Sequence, residues 1–168
     1  MKQPDEEEFR QFVAAKLEAL RGLAFLTCGD WQTADDAVST VLSKLFVRWS
    51  SVDRPYAYAC RMVMRAVVDE RRRPWRRERT VSPELLDRPQ VDESETVDER
   101  LRVRAALLSV PRGQRAVLVL RFYEELSVEE TAEMLGRSVG TVKSQTARGL
   151  AALRAVLAAQ DVPTPSTI

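Results

Sequence analysis

Apolar residues recur along this chain at the three- and four-residue spacing of helices, and no segment of useful length alternates as a strand would. From Glu6 to Phe25 the stripe is Phe9, Phe12, Val13, Leu17, Leu20 and Leu23, one face of a helix. "TCGDWQT" interrupts it: Gly29 suits a helix exit, and Thr33 or Asp30 suits the cap of the next helix. A second, more regular stripe follows: Ala34, Ala37, Val38, Val41, Leu42, Leu45, Phe46 and, at its end, Trp49. It reads as bundle core rather than a partner surface. "SSVDRP" is a loop. Pro55 suits the first turn of a third helix running through "YAYACRMVMRAVVDERRR", which Pro74 ends or kinks.

The pattern then breaks. "RRRPWRRER" is strongly basic, and "SPELLDRPQVDESETVDE" is acidic, holds prolines and has few large apolar residues. Residues 80–96 therefore read as a linker between two domains, 1–79 and 97–160. Beyond it come a helix ending near Val110, a turn at "VPRGQ", a helix "RAVLVLRFYEE" and the stretch "LSVEETAEMLGRSVGTVKSQTARGLAALR". The tail 161–168, "DVPTPSTI", looks frayed. The expected fold is all-α: two small helical domains joined by a flexible acidic linker.

The last stretch holds two helices that meet at one glycine. Ser127 and Glu130 have the spacing of a capping box. The helix they open buries Val128, Ala132 and Leu135, and Gly136 stands where it must stop sharply, a place for positive φ. Ser138 can cap a second helix whose inward residues are Val142, Leu150, Leu153 and Leu157. Ala132 is small enough to let the two helices cross closely, and Val142 anchors the second on the first. This is the spacing of a helix-turn-helix, whose second helix enters the major groove of DNA. Its outward face carries Thr141, Lys143, Ser144, Gln145 and Arg148. Gln pairs bidentately with adenine and Arg with guanine, while Lys and hydroxyls suit phosphates. An ordinary helical hairpin with a solvated polar face has the same spacing.

Composition narrows the chemistry. The formal charge of +1 over 168 residues says nothing about a partner, and 45% hydrophobic with 30% charged residues suits a folded chain. Histidine is absent, which removes imidazole triads, His metal sites and imidazole acid–base steps. Cys28 and Cys60 lie far apart in apolar helical patterns and read as buried free thiols of a reducing compartment. The start "MKQPDEEEF" is acidic where a signal peptide is basic and then apolar, and runs such as "AVLVL" are too short to span a bilayer. A cytoplasmic place is expected. No P-loop, glycine-rich phosphate cradle or metal-ligand cluster is visible, so no cofactor is expected and an enzyme is the weakest class.

"LLSVPRGQRAVLVLRFYEELS" with the stretch after it resembles region four of bacterial extracytoplasmic-function (ECF) RNA polymerase sigma factors, and most of all the SigE-like subfamily. "GDWQTADDAVSTVLSKLFVRW" and "RPYAYACRMVMRAVVDERRR" resemble their region two, more divergently. The resemblance implies a factor that docks on RNA polymerase core and directs it to promoter DNA. One domain reads the upstream (minus-thirty-five) element as duplex, and the other captures the downstream (minus-ten) element as its strands part. An anti-sigma factor is a further admissible partner.

Carried onto this chain, the upstream element falls to Arg137, Thr141, Lys143, Ser144, Gln145 and Arg148. Family members often carry Arg at the position of Gln145. The melted element falls to the loop and third helix: Tyr56 and Tyr58 for stacking, Arg61, Arg65, Arg72 and Arg73 for the backbone. A tyrosine pair at a helix start is equally the edge of a core, and many relatives have Asn where Arg65 stands. Polymerase docking falls to Asp35, Asp36 and Ser39 on the second helix, where Ala37 and Ser39 replace a common Leu and Gln. Six arginines around Trp75 suit phosphates or a solvated helix end. Two rival readings are a helix-turn-helix regulator that never docks on polymerase and a protein-interaction module.

Overall fold

The computed structural model describes residues 3–69 and 94–161, and every regular element among them is helical. They belong to two compact units that divide between Leu85 and Leu86. The basic run with Arg72 and Arg73, most of the expected linker and the tail beyond Asp161 lie outside the described residues.

The first unit holds α1 (Gln3–Cys28), α2 (Trp31–Val47), a 3₁₀ turn (Trp49–Ser51) and α3 (Pro55–Asp69). Each helix packs on the other two. α1 contributes Leu20, Leu23 and Ala24, which are fully buried, and α2 adds Ala34, Val38, Val41 and Leu45. α3 contributes Ala59, Cys60, Val63, Met64 and Val67 at helical spacing. The expected stripe of α1 is core only in its second half; Phe9, Phe12, Val13 and Leu17 are half-buried. The two phenylalanines cluster with Trp49, whose centroid lies 5.2 Å from each. Trp49 thus belongs to an aromatic group at the bundle's end rather than to the stripe of α2.

Between α1 and α2, Gly29 takes a φ of 78°, which a residue with a Cβ adopts at a cost. Of the two candidate caps, Asp30 is the one used: its carboxylate accepts from the Thr33 amide at 2.9 Å. Thr27, fully buried, donates its hydroxyl to Leu23 O at 2.9 Å, so its polar atom is satisfied inside its own helix. Cys28 and Cys60 are buried and form no disulfide.

The second unit holds α4 (Ser94–Leu108), α5 (Arg112–Leu118), α6 (Val128–Leu135) and α7 (Val139–Gln160). α5 runs on into a five-residue π turn, Val119–Tyr123. Glu124 closes it by donating its amide to Val119 O at 3.1 Å, and Glu125 then turns at a φ of 55°. Arg115, only 9% exposed, donates through Nε and Nη2 to Val110 O at 3.2 and 3.0 Å. It satisfies a carbonyl left over where α4 stops, a task invisible in the sequence.

α7 packs on α4, α5 and α6. It comes close to α5 at Gly149, where an added Cβ would lie 3.1 Å from Leu118 Cγ and Cδ1. Gly149→Val should therefore cost about 1–3 kcal/mol through overpacking. Urea unfolding followed by circular dichroism measures it, and an unchanged midpoint would show that Leu118 gives way freely.

Candidate nucleic-acid interface

α6 and α7 form the expected helix-turn-helix through local rules that can be followed atom by atom. Ser127 Oγ accepts from the Glu130 amide at 3.0 Å, and the Glu130 carboxylate accepts from the Ser127 amide at 2.8 Å. Gly136 ends α6 at φ 62° and ψ 39°, the left-handed region. The next amide, of Arg137, donates to Ala132 O at 2.9 Å and folds the chain back. Ser138 then caps α7, accepting from the Thr141 amide at 3.1 Å. Val117, Ala132 and Val142 form the buried centre, flanked by Val128 and Leu135.

This centre decides what α7 presents outward. Thr141, Ser144, Gln145 and Arg148 share one side at spacings of three, four and seven residues. Thr141, Ser144 and Arg148 are exposed; Gln145 is half-buried at the edge of that side. Lys143, also exposed, lies roughly 200° round the helix from Thr141, on the opposite flank. α7 therefore offers one side of hydroxyl, amide and guanidinium groups and a separate ammonium, all within its first three turns.

Arg137 differs from the other five. It is half-buried and turned inward, its Nη1 donating to Gln145 Oε1 at 2.7 Å and to Gly113 O at 3.0 Å. Burial pulls the guanidinium below its ordinary pKa, since desolvation disfavours the charged form. The "VPRGQ" turn, the end of α6 and the start of α7 are thus joined by one side chain.

In the first unit the sequence-predicted residues separate into groups. Tyr58, Arg61 and Arg65 share one side of α3 at spacings of three and seven residues, and both arginines are exposed. Tyr56 instead meets α1, with Lys16 Nζ 4.8 Å from its ring centroid. On α2, Asp35 takes both Nε and Nη2 of Arg21, at 2.5 and 3.1 Å, which ties α2 to α1 and raises the arginine's pKa. Asp36 faces elsewhere. Together with Thr40, Lys44, Arg65 and Asp69 it lines a groove of about 440 Å³ between α2 and α3. Ser39 is exposed and its carbonyl accepts from Ser43 at 2.9 Å.

Two residues now line one groove although the sequence assigned them to different partners, Asp36 to polymerase and Arg65 to DNA. Residues unassigned in the sequence also stand out. Phe122 and Tyr123, on the π turn, are 55% and 48% exposed. Their run, "RFYEE", reads as the end of a helix, and nothing in it marks the two rings as exposed. Among the described residues no group of acidic or sulfur side chains could hold a metal ion, and no helix is long and apolar enough to cross a membrane.

Comparison with known proteins matches both units. Residues 12–77 match the Sigma-70 region 2 family, and residues 100–153 the Sigma-70, region 4 family. The RNA polymerase sigma-E factor of Streptomyces coelicolor is 35% identical over 92% of this chain and 89% of that protein. The ECF RNA polymerase sigma factor SigM of Mycobacterium tuberculosis is 31% identical over 91% of this chain and 79% of that protein. Among solved structures, CnrH, determined with the cytosolic domain of CnrY, aligns at a TM-score of 0.65 and 26% identity, covering 93% of this chain and 91% of that one. The sigma factor RpoE of Bartonella quintana, determined with the anti-sigma factor NepR, shares the fold at a TM-score of 0.72 and 21% identity, covering 90% and 98%.

Proposed function

Because this chain belongs to the Sigma-70 family as an ECF RNA polymerase sigma factor, we propose that its two units divide promoter recognition between them. Residues 1–79 dock on RNA polymerase core and hold the melted minus-ten element. Residues 97–160 read the minus-thirty-five element as duplex, and residues 80–96 span the two. The protein works in the cytoplasm and is not itself an enzyme; the catalytic step belongs to the polymerase. The observation that carries this reading is the union, in one chain and in this order, of a three-helix unit matching region two and a capped helix-turn-helix matching region four. An anti-sigma factor is proposed as a further partner, as in the solved relative bound to NepR.

Each unit has a surface suited to its task. On α7, Arg148 and Thr141 reach base edges and Lys143 meets phosphate. On α3, Tyr58 stacks an unpaired base while Arg61 and Arg65 follow the backbone. On α2, Asp36 and Ser39 face the polymerase, with Asp35 holding α2 in place through Arg21. Run-off transcription of genomic fragments by core with and without the chain tests the reading. New defined start sites should appear only with the chain; an unchanged pattern would refute it.

The separation of Lys143 from the base-reading side gives a sharper expectation. Lys143→Ala should weaken binding to all upstream sequences about equally and lower the salt slope by about 1. Arg148→Ala should instead lose discrimination at one base pair, by about 1–3 kcal/mol. Titrations of holoenzyme on promoter fragments at several salt concentrations separate the two; identical behaviour of both variants would contradict the assignment.

A further inference from the structure

We infer that Gly140 is a clearance point of α7: its missing side chain lets the helix seat against the sugar–phosphate wall of the major groove, between the base-reading side and Lys143. The inference rests on the reading of α7 as the helix that enters the major groove of the upstream element.

Its starting point is a glycine for which the fold has no evident use. Gly136 needs the left-handed conformation, at a φ of 62°, and Gly149 stands where a Cβ would lie 3.1 Å from Leu118. Gly140 meets neither condition. It lies in the first turn of the regular helix, and among the described residues positive φ in glycine is confined to Gly29 and Gly136. A Cβ added to it would meet only Ser138 Oγ, at 4.0 Å, and the residue is exposed. Glycine weakens a helix relative to alanine, because more backbone freedom is lost in ordering it. The absent side chain thus costs the free protein stability without relieving any contact inside it.

The groove supplies a use. A helix with its side chains is about 10–12 Å across, and the major groove is about 12 Å wide. The flanks of an inserted helix therefore run against the backbone walls, and bulk on a flank holds the helix off. Gly140 lies on such a flank. In projection it is roughly 60° from Lys143 and roughly 40° from Ser144, and so stands between the ammonium assigned to phosphate and the side that carries Thr141, Ser144 and Arg148. Lys143 and Ser144 are both exposed. The N-terminal residues of a recognition helix are also the ones that reach the bases, so the first turn is where the fit is closest. A phosphate wall drawn to Lys143 passes over Gly140, and a side chain there would stand in its way.

Core polymerase carrying the full chain, titrated on promoter fragments, tests the inference. Gly140→Ala should keep or raise the unfolding midpoint of the free chain, yet weaken holoenzyme binding by about tenfold, and Gly140→Leu should weaken it further. Neither variant removes a charge or a hydrogen-bonding side chain, so the loss reads bulk alone. Ala158→Leu adds the same bulk at an exposed position on the same side of α7, about five turns farther along, and should bind as the unsubstituted chain does. A lowered midpoint in Gly140→Ala, full binding by both Gly140 variants, or an equal loss in Ala158→Leu would overturn the inference. Arg148→Ala and Lys143→Ala, titrated alongside, separate this outcome from failure of the reading beneath it. If they weaken binding while the Gly140 variants do not, the inference alone falls. If they too bind unchanged, α7 does not enter the groove and the reading falls with it.

Discussion

Val142→Asp is expected to unfold the C-terminal unit and leave the N-terminal unit standing. Val142 is fully buried between Val117 and Ala132, the one side chain of α7 at the centre of the helix-turn-helix. An aspartate there has no cation to pair with among these apolar neighbours. An uncompensated buried charge costs about 3–5 kcal/mol, a large share of what a small unit has. The two losses can be told apart because all three tryptophans, Trp31, Trp49 and Trp75, precede Leu85. Circular dichroism should show a large loss of helix while tryptophan emission stays native. Upstream-element binding should disappear. Coincident loss of both signals would mean that the units are one cooperative body.

Phe25→Ala should do the reverse. Phe25 is 1% exposed and stacks on Trp31 with centroids 4.1 Å apart and planes 9° from parallel. Truncating a buried phenylalanine costs about 3–5 kcal/mol, part transfer and part cavity. Trp31 loses its stacking partner, so emission should shift and quench-accessibility rise at low denaturant. Most of the helical signal of residues 94–161 should persist to higher denaturant. A variant that unfolds at the unsubstituted midpoint by tryptophan emission would contradict the packing described for α1 and α2.

What the sequence made legible was governed by short-range rules. The Ser127–Glu130 box, the glycine stop at Gly136 and the Ser138 cap all lie within a few residues of what they act on. Apolar periodicity gave the helices themselves, and the motifs at both ends gave the family. What stayed hidden depends on which polar groups meet across elements. Arg137 and Gln145 are eight residues apart across a turn, and Arg21 and Asp35 are fourteen apart on different helices. A periodic pattern says which face a side chain lies on, not which partner it finds there. Arg137 therefore read only as one of the upstream-element residues, and its bonds to Gly113 and Gln145 were not legible.

The same limit explains the melted-element residues. Tyr56 and Tyr58 look like a pair in sequence, yet on a helix two residues apart they diverge by roughly 200°. One meets Lys16 of α1 and the other shares a side with Arg61 and Arg65. The π turn is a further case. Nothing in "VLVLRFYEE" departs from an α-helical pattern, and the extra residue shows only in the Glu124–Val119 bond.

The central claim is that this chain docks on RNA polymerase core rather than acting alone on DNA. Mixing the purified protein with core polymerase from its source and following both on a sizing column tests it most directly. Comigration as a one-to-one complex, stable without DNA and weakened by Asp36→Arg, is the predicted result. Separate elution, with the chain folded, the core active and no inhibitor carried along, would contradict it and leave a free-standing helix-turn-helix regulator.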